Sequence, residues 1–245
     1  MRTREGRLFN ETPFACTLFA YMHHETAGRA MAAEALGTAL LLTAVVGSGI
    51  MGDRLSGGNV GIALLANSLA TGGALVALIL TFGPISGSHL NPVVTLSAAV
   101  QGKLPWSRVF GYVAAQAIGA VIGVMAAHVM FSEPLLMAST HDRSGAAQLV
   151  SEFVATFGLL AVIAGTVRSR AEAVPYAVAA YITAAYWFTS STSFANPAVT
   201  LARSLTNTFA GIRPVDAPGF IAAQLAGAAA ATWLFGWLSP SDTSA

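Results

Sequence analysis

The fold is decided by two short segments of the chain: SGSHLNPVVT at residues 86–95 and TSFANPAVT at residues 192–200. In each segment a proline directly follows an asparagine, Asn91 in the first and Asn196 in the second. Asn is favoured as the N-cap of a helix, and Pro is favoured at the first helical position. Each segment therefore predicts that a helix begins in the middle of an otherwise hydrophobic stretch.

The composition indicates a membrane protein. Of 245 residues, 55% are hydrophobic and only 9% are charged, against roughly 25% charged in a soluble domain. The hydrophobic residues form about six blocks, each close to the roughly 20 residues that cross a bilayer core. We therefore expect six spans, at Ala30–Met51, Val60–Gly83, Trp106–Phe131, Ala146–Val167, Ala173–Ser190 and Ala217–Leu238.

Other classes of protein are disfavoured by what the sequence lacks. The net charge of +1 and the absence of a basic cluster give no site for nucleic acid. A single cysteine, Cys16, excludes disulfides and thiolate metal clusters within one chain. No span contains paired carboxylates, a His-rich metal motif or a nucleophile with its base, and no Gly-rich phosphate loop is present. We expect no enzyme activity, no cofactor and no bound metal.

The chain before the first span, residues 1–29, is predicted to be a cytoplasmic tail. Lysines and arginines place the N-terminus inside by a narrow margin. The apolar stretch at residues 13–22 also fits a weak signal peptide, but it is short and a span follows almost at once. A start of translation at Met22 or Met31 is a further alternative.

Matching landmarks indicate an internal duplication. Glu34 lies early in the first span and Glu152 early in the fourth, while Gln116 lies in the third span and Gln224 in the sixth. The glutamines are followed by small residues that allow close helix packing. These are Gly119 and Gly123 in the third span, and Gly227 and Ala231 in the sixth.

The duplication divides one channel domain, residues 30–238, into a first repeat at 30–131 and a second at 146–238. Residues 239–245 form a C-terminal tail. Three spans per repeat is an odd number, so the second repeat enters the membrane from the opposite side. The two Asn-Pro segments therefore approach from opposite faces.

Each Asn-Pro segment is predicted to start a half-helix. The run Asn91–Gln101 measures about 17 Å as a helix, roughly half of the bilayer core. The run from Asn196 is ended by Gly211 and Pro214 and is predicted to be similar in length. Such helices are tolerated at membrane depth only where protein or a water-filled cavity satisfies their backbone. We expect the two to meet near the midplane.

Opposed helix N-termini indicate a pore. Each end carries about half a positive charge, and each Asn amide can donate a hydrogen bond to a passing oxygen. This arrangement opposes protons and cations and lets uncharged molecules pass. The alternative is that each Asn only caps its own helix. An ion-coupled secondary transporter also uses broken helices, but it needs a charged or titratable coupling site near the midplane.

These residues resemble the aquaporin and aquaglyceroporin family, the major intrinsic proteins, over most of residues 30–238. The resemblance rests on the matched Glu and Gln pairs and on the motifs SGSHLNP and NPA. The first motif departs at Val93, where the family usually has Ala. The motif residues implied for the pore are Asn91, Pro92, Val93, Asn196, Pro197 and Ala198.

The resemblance implies an all-α membrane protein with six transmembrane helices, two re-entrant half-helices and inverted three-helix repeats. It implies a pore in each protomer, a homotetramer, and both termini in the cytoplasm at the inner (cell) membrane. The implied partners are water, small neutral solutes and the lipid bilayer. Glu34 and Glu152, with Gln116 and Gln224, are implied to be buried structural residues whose carboxylates accept hydrogen bonds from the re-entrant backbone. A proton relay is the alternative for these carboxylates.

The histidines do not form a site of their own. His89 precedes the first Asn and is expected to line the cytoplasmic vestibule, but no partner lies at metal-ligand spacing. His23, His24, His128 and His141 lie at tails or interfaces and are interpreted as incidental.

The resemblance also implies a selectivity filter on the outer side. Its four positions fall on Thr71, on a residue within one or two places of Tyr186, on Ser193 and on Val199. The family normally has Arg where this chain has Val199, so the filter loses a fixed charge and a fork of donors. Arg203, one helical turn further on, either carries charge to the outer mouth or anchors a loop.

The filter residues suggest solutes larger than water. We expect passive flow of small uncharged molecules such as glycerol, urea or neutral metalloid hydroxides, with a strict water channel as the alternative. The segment NPAVTLARSLTNTF at residues 196–209 resembles bacterial aquaporins associated with arsenic resistance. That resemblance adds arsenous acid to the expected solutes.

Overall fold

The computed structural model describes residues 26–238, and the elements in this range are helices joined by loops. The predicted C-terminal tail, most of the N-terminal tail, and His23 and His24 lie outside the described residues. A 3-10 turn, Ala171–Ala173, precedes the sixth helix. The α-helices are α1 (Ala27–Leu55), α2 (Val60–Ser86), α3 (Pro92–Val100), α4 (Trp106–Phe131), α5 (Ala146–Ser169), α6 (Val174–Phe188), α7 (Pro197–Arg203) and α8 (Ala217–Leu238).

The predicted membrane architecture is confirmed. Within residues 26–238, five helices are long and apolar enough to cross a membrane: α1, α2, α4, α5 and α8. Helix α6 stands where the fifth span is predicted and has 15 residues, or about 22 Å. Large apolar side chains such as Phe110 and Trp233 are exposed on the outside of the helix bundle. Exposed apolar surface of this kind suits a protein surrounded by lipid.

The two halves of the chain make corresponding helix contacts. Helix α1 packs against α2 and α4, and α5 packs against α6 and α8. The halves meet where α2 packs against α6. The short helices α3 and α7 contact each other, and each also contacts both α4 and α8. The long helices therefore hold the two short helices in contact with each other inside the protein.

Small residues allow the closest of these contacts. A Cβ on Gly119 would collide with the carbonyl oxygen of Ala35, and one on Gly123 would collide with that of Ala39. Gly227 in α8 lies in the same way against the carbonyl oxygen of Phe153. Backbones at this distance leave no room for a side chain. Close packing thus fixes α4 on α1 and α8 on α5.

The second half-helix is shorter than the first, and the prediction of similar length was wrong. Helix α7 has 7 residues, about 10 Å, against 9 residues in α3. From Arg203 onward the backbone carbonyls accept hydrogen bonds from outside the helix. The amide of Met137 donates to the carbonyl of Leu205, and the amide of Ile212 donates to the carbonyl of Arg203. These bonds occupy carbonyls that a longer helix would use. The loop between the two halves therefore ends α7 early.

The close contact of α1 and α4 can be tested by adding one methyl group. We expect Gly119→Ala to lower the melting temperature in detergent by about 5 °C, because overpacking costs about 1–3 kcal/mol. The matched control is Gly165→Ala in α5, where a Cβ would meet nothing within 4 Å. Equal melting temperatures for the two variants would contradict the packing described here.

Candidate functional site

The two Asn-Pro segments meet through their asparagine side chains. The amide nitrogen of Asn91 donates to the carbonyl of Ala195 at 2.8 Å, and that of Asn196 donates to the carbonyl of Leu90 at 2.8 Å. Each asparagine therefore bonds the residue that directly precedes the other one. A side-chain amide has a second N–H, and both asparagines line the same cavity. That second donor can meet a solute oxygen.

Each asparagine also caps its own helix. The side-chain oxygen of Asn91 accepts from the amide of Val93 at 3.1 Å. That of Asn196 accepts from the amides of Ala198 and Val199 at 3.0 and 3.3 Å. Pro92 and Pro197 stand at the first helical positions, as predicted. Two helix N-termini with their partial positive charges thus point at the same place.

The residues before each asparagine have an uncommon backbone. Leu90 has φ of 49° and Ala195 has φ of 47°, both in the left-handed region that side chains rarely adopt. Ser88 and Ser193 show the same feature two residues earlier, at 48° and 51°. Such conformations cost about 1–3 kcal/mol each and persist only where the surroundings enforce them.

Two buried carboxylates enforce this backbone. Glu34 accepts the amides of His89 and Leu90 at 2.9 and 2.7 Å. Glu152 accepts the amides of Phe194 and Ala195 at 2.8 and 2.9 Å. Because each carboxylate binds two consecutive N–H groups, it fixes the direction in which the loop enters its half-helix.

The predicted glutamine partners complete each carboxylate site. Gln116 donates to Glu34 at 2.7 Å and to the hydroxyl of Thr95 in α3 at 2.9 Å. In the second half, Gln224 donates to Glu152 at 2.6 Å and to the hydroxyl of Thr200 in α7 at 2.8 Å. All of these side chains are fully buried. In each half, one carboxylate therefore links three helices: the helix that carries it, the helix that carries the glutamine, and the half-helix.

A cavity of about 610 Å³ extends past the point where Asn91 and Asn196 meet. Lys103, Glu172 and Tyr176 line it beyond the α3 side, and Ser193 and Arg203 line it on the α7 side. The wall between them is mostly apolar, from Leu41, Val45, Leu75, Ile79, Leu159, Leu160 and Ile163. His89 also lines the cavity, with Nδ1 at 3.1 Å from the hydroxyl of Thr95.

All four predicted filter positions lie in the cavity wall. The hydroxyls of Thr71 and Tyr186 are 3.1 Å apart, so these side chains touch across the space between α2 and α6. The hydroxyl of Ser193 is buried without a hydrogen-bond partner among the described residues. Val199 presents an apolar surface and is 5% exposed. Ser193 and Val199 therefore both belong to the cavity wall, one with an unpaired hydroxyl and one with an apolar side chain.

Arg203 brings its charge to the cavity and also anchors a loop, the two alternatives predicted for it. Its guanidinium carbon lies 3.4 Å from the centroid of the Phe194 ring, and the residue lines the cavity while being 2% exposed. Its Nε donates to the carbonyl of Ala210, which anchors the loop after α7. The charge therefore stands one turn beyond Val199.

A second arginine at this site was missed by sequence reasoning. Arg143 lies in the loop between the halves, and its guanidinium carbon is 5.1 Å from the Phe194 ring. It donates to the carbonyls of Gly211 and Ser191 at 2.7 and 3.2 Å. Burial lowers the pKa of Arg143 below its usual range. No local pattern marks this residue, because its position depends on how the loop folds back.

The interpretation of His128 as incidental was wrong. It is fully buried, its Nε2 is 2.7 Å from the hydroxyl of Thr206, and its Nδ1 is 3.0 Å from the carbonyl of Leu135. His128 therefore joins the end of α4 to the loop after α7. His141 is exposed in the loop between the halves.

Comparison with known proteins agrees with this geometry. The model of the family named Major intrinsic protein matches residues 21–190. The chain is 55% identical to Aquaglyceroporin AqpS of Rhizobium meliloti (strain 1021) over 210 residues, which cover 86% of this chain and 90% of that protein. It is 31% identical to Aquaporin NIP1-3 of Oryza sativa subsp. japonica over 218 residues, or 86% and 73% of the two chains.

The fold is also shared with a solved structure. The X-ray structure of the aquaglyceroporin from Plasmodium falciparum superposes with a TM-score of 0.69 over 87% of this chain and 95% of that chain. The sequence identity to it is 21%, so this likeness concerns the fold alone. The family match over residues 21–190 and the 55% identity to Aquaglyceroporin AqpS show that this chain belongs to the major intrinsic protein family.

Proposed function

We propose that this protein is a passive channel for water and small uncharged solutes, with glycerol-like polyols as the main class. The observation that carries the proposal is the pair of half-helix N-termini that meet at the cavity through Asn91 and Asn196. The R. meliloti relative is named an aquaglyceroporin, which supports the same class of solute. The protein is a channel and not an enzyme.

The helix ends provide the barrier to ions. Two partial positive charges and two amide donors favour a solute oxygen and oppose a cation. The mostly apolar wall gives a desolvated cation no replacement for its water. In this proposal the motif residues Pro92, Val93, Pro197 and Ala198 set the ends of the half-helices, and His89 lines the cytoplasmic vestibule.

The filter residues favour molecules with one polar and one apolar face. Ser193 offers an unpaired hydroxyl, Val199 offers an apolar wall, and the paired hydroxyls of Thr71 and Tyr186 close the opposite side. Glycerol has hydroxyl groups for Ser193 and a carbon chain for Val199, while urea is a smaller neutral molecule with an oxygen and two amino groups for Ser193. Arsenous acid is neutral at physiological pH and resembles a small polyol, so we include it among the proposed solutes.

The proposed setting is a homotetramer in the inner membrane with both termini in the cytoplasm. Residues 30–238 form the channel domain, with repeats at 30–131 and 146–238, and the remaining residues form the two tails. The proposal is supported by the apolar side chains that the described helices expose, since each protomer encloses its own cavity and leaves this surface for lipid or a neighbouring copy.

A panel of solutes tests the proposed function. In proteoliposomes we expect water, glycerol, urea and arsenous acid to enter faster than in empty liposomes, because the filter contains no arginine at position 199. Stopped-flow light scattering measures the first three, and arsenic analysis of filtered vesicles measures the last. Water flux with no glycerol or arsenous acid flux would favour the strict water channel.

The role of Val199 is tested by restoring the arginine. We expect Val199→Arg to lower glycerol permeability at least about tenfold, because a guanidinium fills the space beside Ser193 and replaces the apolar wall by a fixed positive charge. Val199→Leu is the control, since it adds volume without charge. Unchanged glycerol flux in Val199→Arg would mean that residue 199 does not form the constriction.

Passive flow is tested against the ion-coupled alternative. Both buried carboxylates are occupied by backbone amides and a glutamine, so we expect no coupling to protons. Glycerol in proteoliposomes should reach the same concentration inside and outside under an imposed pH gradient. Accumulation that follows the gradient would support a coupled transporter.

A further inference from the structure

Two arginines at the Arg203 end of the cavity take no part in the ion pairs of the described residues. Those ion pairs join Arg54 to Glu133, and Arg213 to both Asp142 and Asp216. Asp142 precedes Arg143 in the loop between the repeats and Asp216 lies in the loop after α7, and Arg213 binds them at 3.0 and 2.9 Å. Arg143 and Arg203 lie outside ion-pair distance of any described carboxylate, and the charge of buried Glu152 acts on both. Two positive charges therefore stand against one negative charge at this end of the cavity.

Both guanidinium groups are held on one aromatic ring. Arg203 lies 3.4 Å and Arg143 lies 5.1 Å from the centroid of Phe194. Phe194 lines the cavity between Ser193 and Ala195, directly before the second Asn-Pro motif. Cation–π contacts of this length are attractive and fix the position of the charge. The ring therefore holds Arg203 in the cavity wall and Arg143 close behind that wall.

Backbone carbonyls keep Arg143 at this position. Its Nε binds Gly211 in the loop after α7, and one terminal nitrogen binds Ser191 in the loop before it. The backbone amide of Arg143 donates to Asp216 at 2.9 Å. A side chain from the loop between the repeats is thus fixed against both ends of the re-entrant segment.

We propose that Arg143, acting with Arg203 on Phe194, sets the charge selectivity of the cavity mouth in place of an arginine at position 199. This inference rests on the channel function proposed above and names a specificity residue for it. A fixed positive charge beside the mouth raises the energy of a cation there and leaves a neutral molecule of the same shape almost unaffected.

Urea and guanidinium form a suitable pair of probes. Both are small and planar, and guanidinium keeps its charge at neutral pH as an arginine side chain does. We expect the wild-type channel to pass urea and largely exclude guanidinium. Removing one charge several ångströms from the path should raise the ratio of guanidinium flux to urea flux about threefold to tenfold.

The experiment compares three variants of the full chain in proteoliposomes. Arg143→Gln removes the charge, Arg143→Lys keeps it but cannot make the same forked bonds, and Arg54→Gln removes a more exposed arginine paired with Glu133. Isotope-labelled guanidinium and urea uptake are measured on each. We expect a raised flux ratio in Arg143→Gln and a ratio within about twofold of wild type in the other two.

Three results would overturn the inference. These are a wild-type ratio in Arg143→Gln, an equal rise in Arg143→Lys, which would mean that the arginine only anchors the loops, or an equal rise in Arg54→Gln. Absence of both urea and glycerol flux in the wild type would instead contradict the proposed function, so the two failures are distinguishable.

A measurement on the wild type does not depend on how the variants fold. If positive charge at the mouth excludes cations, the wild-type channel should pass urea at least about tenfold faster than guanidinium. Equal permeability to urea and guanidinium in the wild type would contradict the inference.

Discussion

Two buried carboxylates, each bonded to consecutive backbone amides, hold the centre of this protein together. Glu34 fixes the loop that ends at Asn91, and Glu152 fixes the loop that ends at Asn196. Five non-glycine residues of these two loops lie in the left-handed region, among them Leu90 and Ala195, whose amides the carboxylates bind. A carboxylate inside a membrane protein is costly unless its oxygens are occupied. Here the amides and a glutamine occupy them.

The duplication explains why the two Asn-Pro segments hold each other in place. Each loop ends in an asparagine whose side chain reaches the carbonyl in front of the other asparagine, so each segment supports its counterpart. The same bonds direct two helix N-termini and their partial positive charges at one point of the cavity. The barrier to cations proposed above therefore follows from the same contacts that hold the segments together.

The sequence predicted what depends on local chemistry. Asn followed by Pro marks a helix start, hydrophobic blocks mark spans, and matched Glu and Gln residues mark the duplication. These signals placed the five long helices, the shorter α6 and the two half-helices, and they singled out both carboxylates and both asparagines.

Features set by contacts between distant parts of the chain were not predicted. The end of α7 depends on bonds between its following residues and the loop between the repeats. The places of Arg143 and His128 depend on the same loop, which folds over the cavity mouth and the end of α4. The bond between Thr71 and Tyr186 requires α2 and α6 to be adjacent. Neither periodicity nor spacing along the chain carries this information.

The most direct measurement concerns the reciprocal amide bonds. Asn196→Asp keeps the helix cap but replaces the donor to the carbonyl of Leu90 by a carboxylate oxygen. Asn59→Asp is the matched control, because Asn59 is an exposed N-cap at the start of α2 and is remote from the cavity. We predict that Asn196→Asp lowers glycerol flux and admits protons or cations, while Asn59→Asp behaves as wild type. Wild-type glycerol flux and ion exclusion in Asn196→Asp would contradict the account.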